Sequence, residues 1–224
     1  MRRYLIPLIF GLGGCAFLAS LGVWQLQRLE WKAAILADIE ARIAAAPVAV
    51  PPEPDPDADR YLPVTATGDL LGTSLRVLVS TKERGAGYRL VTPLMLEDGR
   101  RVMVDEGFVG LEENTAPGAA AGVTVTGNLH WPEEMDSWTP EPDVSDGLFY
   151  ARDVTAMASA LGTEPVLIVA RTVTGTDPRA TPMPVTSIGI PNNHLGYAVQ
   201  WFGLALVWLG MTAFLLWRIR KRMV

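Results

Sequence analysis

The sequence predicts an α+β membrane protein, with two transmembrane helices flanking a β-rich domain that carries one short helix. Three observations predict it. From Tyr4 to Val23 the chain is almost wholly apolar, and no charge appears until Arg28. From Leu195 to Trp217 it is apolar again, with Gln200 as the only strongly polar side chain. Between the two runs lie short segments rich in Val, Leu and Thr, with partial alternation. A helix rises about 1.5 Å per residue, so a run of roughly 20 residues covers a hydrocarbon core about 30 Å thick. Neither run shows the polar face that a soluble helix of this length needs. A cleaved signal peptide would have a shorter apolar stretch and a small-residue cleavage site before polar sequence. Leu12-Gly13-Gly14-Cys15 has the form of a lipoprotein box, but the apolar run continues well past Cys15.

Charge sets the expected orientation. Arg2 and Arg3 precede the first run; Arg218, Arg220, Lys221 and Arg222 follow the second. Cations close to the membrane mark the cytoplasmic side, so both termini are expected there. All 24 acidic residues lie between the runs, against 13 of the 19 basic ones, so that region carries a net charge of −11. It is expected to face the periplasm or an equivalent outer compartment, and its acidity argues against nucleic acid as a partner. Cys15 is the only cysteine and falls within a span, which leaves the β-rich domain no disulfide and no thiolate metal site. Three residues precede the first run, and the expectation is a bacterial inner-membrane protein or an already processed chain.

The first helix should extend beyond the membrane over residues 1–46, because Ile35, Ile39 and Ile43 form an apolar stripe and Pro47 ends it. Residues 47–60, with five prolines and three aspartates, read as an extended spacer. The β-rich domain spans 61–176. Its expected strands are Leu62–Asp69, Leu75–Ser80, Tyr88–Leu96, Arg101–Val109, Val123–Trp131 and Pro165–Thr174. Asp98-Gly99 marks a hairpin, and Ala116–Gly122 a flexible loop. Asp153 caps a short helix that Gly162 stops. The pattern fits a small barrel or two packed sheets equally. Residues 177–193 return the chain to the second span at 194–217, and 218–224 form a basic tail.

Chemistry is sparse. The chain has no Walker loop, no GxSxG, no HExxH and no CxxC, and its two histidines cannot build a multi-histidine metal centre in one copy. Asp105-Glu106 reads as solvated surface, since neighbours on a strand point to opposite faces. Glu133, Glu134 and Asp136 read as a solvated acidic loop, and His130 as a satisfied surface histidine. His194 differs. It opens the second span on the outer side, after Asn192 and Asn193, either of which suits an N-cap. A helix N-terminus favours an anion such as a haem propionate. Tyr197, Trp201, Ala205 and Trp208 follow at helical spacing and form a wall suited to a flat apolar cofactor. The same residues suit a plainer role, as a capping histidine with tryptophans in the membrane belt. At matching depth on the first helix, Trp24, Arg28 and Trp31 share one face, and Arg28 and Lys32 suit propionates, a partner's acidic loop or lipid phosphate. Gly11, Gly14, Gly22, Gly203 and Gly210 allow close helix contact.

Two segments carry a resemblance. Leu21-Gly22-Val23-Trp24-Gln25-Leu26-Gln27-Arg28-Leu29-Glu30-Trp31-Lys32 resembles the first hallmark of the Surfeit-locus (Surf-one) cytochrome c oxidase assembly family. Pro191-Asn192-Asn193-His194-Leu195-Gly196-Tyr197-Ala198-Val199-Gln200-Trp201-Phe202 resembles its last. Gly87–Pro93, Gly127-Asn128-Leu129 before Pro132-Glu133, and Phe149–Asp153 are similar to its middle motifs. Where the family has an Arg-Gly-Trp turn, this chain has Glu106-Gly107-Phe108, a cation replaced by an anion. The resemblance implies an assembly factor, not an enzyme, that helps haem a reach oxidase subunit I or its assembly intermediates, next to the machinery that makes haem a. It also implies that His194 meets the haem iron; Tyr197, Trp201, Trp24 and Arg28, placed near it by spacing, are then the residues expected around the haem. The alternative is a membrane-anchored scaffold that holds nascent subunit I and never touches haem.

Overall fold

The computed structural model describes residues 2–113, 118–188 and 190–221. Ala116 and Pro117 of the expected loop, and Arg222 of the basic tail, lie outside the described residues. The chain divides into two compact units, Met1–Asp38 with Ser187–Val224, and Ile39–Thr186.

The first unit is a helix pair. Helix α1 runs Arg2–Ala44 and α3 runs His194–Lys221. Both are long and apolar enough to cross a membrane, and few of their side chains are buried. Residues such as Ile6, Phe10, Leu206 and Met211 are more than half exposed. A soluble core helix would bury them, so lipid is their natural solvent. The seam between the helices is built on small residues. A Cβ added at Gly11 would meet Thr212 at 2.1 Å, at Gly14 would meet Trp208 at 2.4 Å, and at Gly22 would meet Phe202 at 2.7 Å. Ala198 and Ala205 are buried on α3. Gly203 and Gly210 would meet nothing within 4 Å, so they take no part in this contact. Gly14→Leu should therefore wedge the seam apart, at a cost of about 1–3 kcal/mol. The midpoint of unfolding in an SDS titration should fall, and Trp208→Ala in the same chain should restore much of the loss.

The second unit is a closed β-barrel. Its strands are β1 Val48–Ala49, β2 Pro63–Leu70, β3 Leu75–Thr81, β4 Gly85–Leu96, β5 Arg101–Gly110, β6 Ala120–Leu129, β7 Leu148–Phe149 and β8 Leu167–Thr174. The ring runs β2-β6-β8-β5-β4 and returns to β2. Of the two architectures the strand pattern allowed, the barrel is the one formed. Strand β4 has 12 residues, long enough for its first half to pair with β3 and its last residues with β2. That last pairing closes the ring at Gly68, where a Cβ would lie 2.0 Å from the Met95 carbonyl oxygen. Only glycine permits this approach. Strand β8 enters between β5 and β6, parallel to the first and antiparallel to the second.

Inward residues of the ring, among them Val64, Leu94, Val104, Val125 and Ile168, form one core. The outer face of β5 and β8 packs through Met103, Leu167 and Val169 under helix α2, Val154–Leu161, with Phe149 beside it. Asp153 caps α2 by accepting from the Ala156 N–H at 3.0 Å, and Gly162 ends it with φ of 65°. Strand β5 is thus covered on both faces.

The proline-rich segment is not a free spacer. Val48 and Ala49 pair with Val64 and Thr65, and Val50 is buried in the barrel core. Arg100 donates to the carbonyls of Val50, Pro51 and Pro52. Prolines remove backbone donors, and here a guanidinium binds the carbonyls that remain. The end of α1 is held within the same unit, where Asn128 Nδ2 and Arg171 Nη1 both donate to the Ile43 carbonyl.

Candidate functional site

In the helix pair, His194 is the first residue of α3 and half-buried. Its Nδ1 lies 2.7 Å from Gln25 Oε1 on α1. Gln25 is almost wholly buried, 9% exposed, so the contact is shielded and stays put. An amide oxygen only accepts. Nδ1 therefore donates in this contact, and in the neutral ring Nε2 carries the lone pair. A nitrogen so placed is the arrangement of a metal-binding histidine, whose far N–H is held by a carbonyl or carboxylate. Lys32 Nζ ties α1 to the Pro191 carbonyl just before α3. Among the described residues Asn192 Oδ1 is buried without a hydrogen-bond partner, an acceptor left open close to the histidine in sequence.

The other expected site residues divide. Trp24 and Tyr197 are half exposed, and Trp201 is half-buried. Arg28 is exposed, with its guanidinium 4.1 Å from the Trp31 ring centroid. The lower part of the expected aromatic wall is otherwise engaged. Ala205 lies buried in the seam, and Trp208 rests on Gly14 with Phe10 5.4 Å away. Sequence reasoning missed Gln25. The signal was its place among the hydrophobic residues of α1, where a buried amide needs a partner.

In the barrel unit, Asp105 and Glu106 are the main departure from expectation. Both are buried, at 0% and 4% exposure. Alternation does send them to opposite faces, but both faces of β5 are covered. Asp105 accepts from Arg89 Nε at 2.6 Å and lies 3.4 Å from Arg152 Nη1. Glu106 accepts from Thr92 and is paired with Arg179. Glu106-Gly107 is a bulge within β5, with Gly107 at φ of 116° and its Cα face against the Thr181 carbonyl. The anion that replaces the family's cation thus has an arginine opposite it.

The acidic loop is only partly solvated. Glu133 is exposed and pairs with Arg60. Glu134 grips Arg152. Burial pushes Glu134 up, but the hydrogen bonds and charge of Arg152 outweigh it and hold the carboxyl below its usual range. His130 is half-buried, stacked on Tyr61 at 5.4 Å, and its Nδ1 has no partner. Burial first, then the Arg152 charge, lower its pKa to about 4. It is neither satisfied nor a surface histidine.

Comparison with known proteins finds relatives along most of the chain. The SURF1 family matches residues 12–206. Surfeit locus protein 1 of Rattus norvegicus is 30% identical over 207 residues, 83% of this chain and 67% of its own. A SURF1-like protein of Monosiga brevicollis is 31% identical over 88% of this chain and 82% of its own. Surfeit locus protein 1 of Homo sapiens is 29% identical, over 83% and 69%. The match takes in Gly22 and Phe202 of the seam, Gln25, the whole barrel and His194, and the chain belongs to the SURF1 family.

Proposed function

We propose that this chain carries haem a to subunit I of cytochrome c oxidase, with His194 Nε2 as the protein ligand to the iron. Membership of the SURF1 family carries a role in oxidase assembly. The observation that supports the finer reading is the Gln25–His194 contact at 2.7 Å, which engages Nδ1 and leaves Nε2 outside that hydrogen bond. The surroundings suit a flat amphipathic cargo. Tyr197, Trp201 and Trp24 offer apolar ring surface, and the exposed Arg28 guanidinium suits a propionate. His194 would hold the haem iron, and a single histidine ligand from each copy would favour release over storage. On this reading both termini lie in the cytoplasm of a bacterial cell, the barrel faces the periplasm, and no reaction is catalysed.

The test is co-purification from a host that makes haem a. Wild type should carry a haem a spectrum, and His194→Ala should lose it. Gln25→Leu should bind about 10–100-fold more weakly, the usual cost of losing the group that orients a metal-binding histidine. Haem absent from wild type, with subunit I co-purifying instead, would replace the carrier by the scaffold. Haem retained in His194→Ala would place the iron elsewhere.

A further inference from the structure

A cavity of about 400 Å³ opens within the barrel unit, beside the buried Arg89–Asp105–Arg152 cluster. Small-molecule sites run from about 300 to 1,000 Å³. Its walls come from distant parts of the chain: the β3–β4 hairpin with Thr81, Glu83 and Arg84, His130 at the end of β6, and the stretch Met183–Thr186 after β8.

Two kinds of polar group line it. Arg89 and Arg152 are fully engaged: Arg89 with Asp105 and the Met183 carbonyl, Arg152 with Asp105 and Glu134. They form a fixed floor. His130 and Arg84 are not engaged. His130 Nδ1 is buried with no hydrogen-bond partner. Among the described residues the Arg84 guanidinium meets no carboxylate, only the face of Phe108 at 5.7 Å. A buried polar atom without a partner costs about 1–3 kcal/mol, a cost that water or a ligand entering the cavity would relieve. Burial and the nearby arginines keep His130 neutral, and a neutral imidazole donates from one nitrogen and accepts at the other. Arg84 adds an exposed five-donor guanidinium, so the balance of open groups is toward donors. A metal cation would face three guanidinia, and an apolar ligand would leave the donors unmet. Glu83 on the rim is exposed and solvated, and it disfavours a highly charged ligand.

We propose that this cavity binds a small organic anion through a carboxylate or phosphate group held between the Arg84 guanidinium and the His130 imidazole. The proposal is independent of haem carriage, since it concerns other residues of the chain.

The test uses the full chain in lipid nanodiscs with ¹⁵N-labelled histidine. The chain has two histidines, so His194 serves as the internal control. Sodium acetate and inorganic phosphate are titrated separately at fixed pH, against sodium chloride at matched ionic strength. The expected result is a saturable shift of the His130 ring nitrogens with at least one of the two anions, while His194 stays still. The tighter of the two names the head group. In Arg84→Ala, whose side chain is exposed on a hairpin, the affinity should fall about tenfold, the usual cost of one charged hydrogen-bond donor. A shift that never saturates, an equal response to chloride, or an affinity unchanged in Arg84→Ala would overturn the proposal.

Discussion

Asp105→Ala should cost the barrel unit about 3–5 kcal/mol, enough to leave much of the chain unfolded at physiological temperature. The reason is the asymmetry of buried ion pairs. Asp105 is wholly buried, and Arg89 beside it is 8% exposed. Arg152, just before α2, reaches the same carboxylate and is also paired with Glu134. Removing Asp105 leaves the buried Arg89 without its counter-ion and takes one of two partners from Arg152, and that penalty exceeds what the intact pair contributes. Asp105→Asn should be milder, because an amide oxygen still accepts from Arg89 Nε. Glu133→Ala provides the contrast. Its pair with Arg60 is exposed, with 81% of the Glu133 side chain in water, and its loss should cost less than about 1 kcal/mol. Chemical denaturation of the detergent-solubilised chain, followed by tryptophan fluorescence, measures all three. Equal effects of Asp105→Ala and Glu133→Ala would mean that the cluster does not hold the barrel together.

The barrel should also weaken in mild acid, and His130 sets the window. Its pKa falls from 6.5 to about 4 on folding, chiefly through burial and then through Arg152. Between these values the unfolded chain binds a proton at this ring and the folded chain does not, so stability drops as pH falls. One pKa unit corresponds to about 1.4 kcal/mol. After discounting for solvent at the exposed edge of the ring, about 2 kcal/mol should be lost across the window. His130→Gln should flatten the profile between pH 6.5 and 4. Glu134 acts lower: its depressed pKa gives stability that is present above the carboxylate range and lost as pH falls through its folded value. A His130→Gln chain that keeps the full slope above the carboxylate range would assign that slope to another group.

Much of the fold was legible because its signals are local. The two spans announce themselves by length, the strands by composition, and α2 by Asp153 and Gly162 at its ends. What could not be read depends on pairs distant in sequence. The ring closes through Gly68 against Met95, and nothing in Leu62–Asp69 alone separates a barrel strand from a sandwich strand. Asp105 and Glu106 looked solvated because polarity is usually a surface signal. Their partners Arg89, Arg152 and Arg179 lie 16, 47 and 73 residues away. The proline-rich segment looked free because prolines do not pair, yet Arg100 binds its carbonyls. At the candidate site His194 stood out by its place at a helix start, whereas the pairing of Gln25 with it emerges only when the two helices are set side by side.

The order of the barrel strands carries a consequence for biosynthesis. Strand β8, the last to leave the ribosome, is inserted between β5 and β6, which were made long before it. Until Thr174 has emerged, those two strands have no neighbour on that side and present open edges to any other chain nearby. A nonsense or frameshift change between β6 and β8 therefore yields more than a barrel short of its last strand. It yields an unclosed sheet with two adhesive borders, a substrate for aggregation and for quality-control proteases, and the same exposure falls briefly on every normal chain during its synthesis.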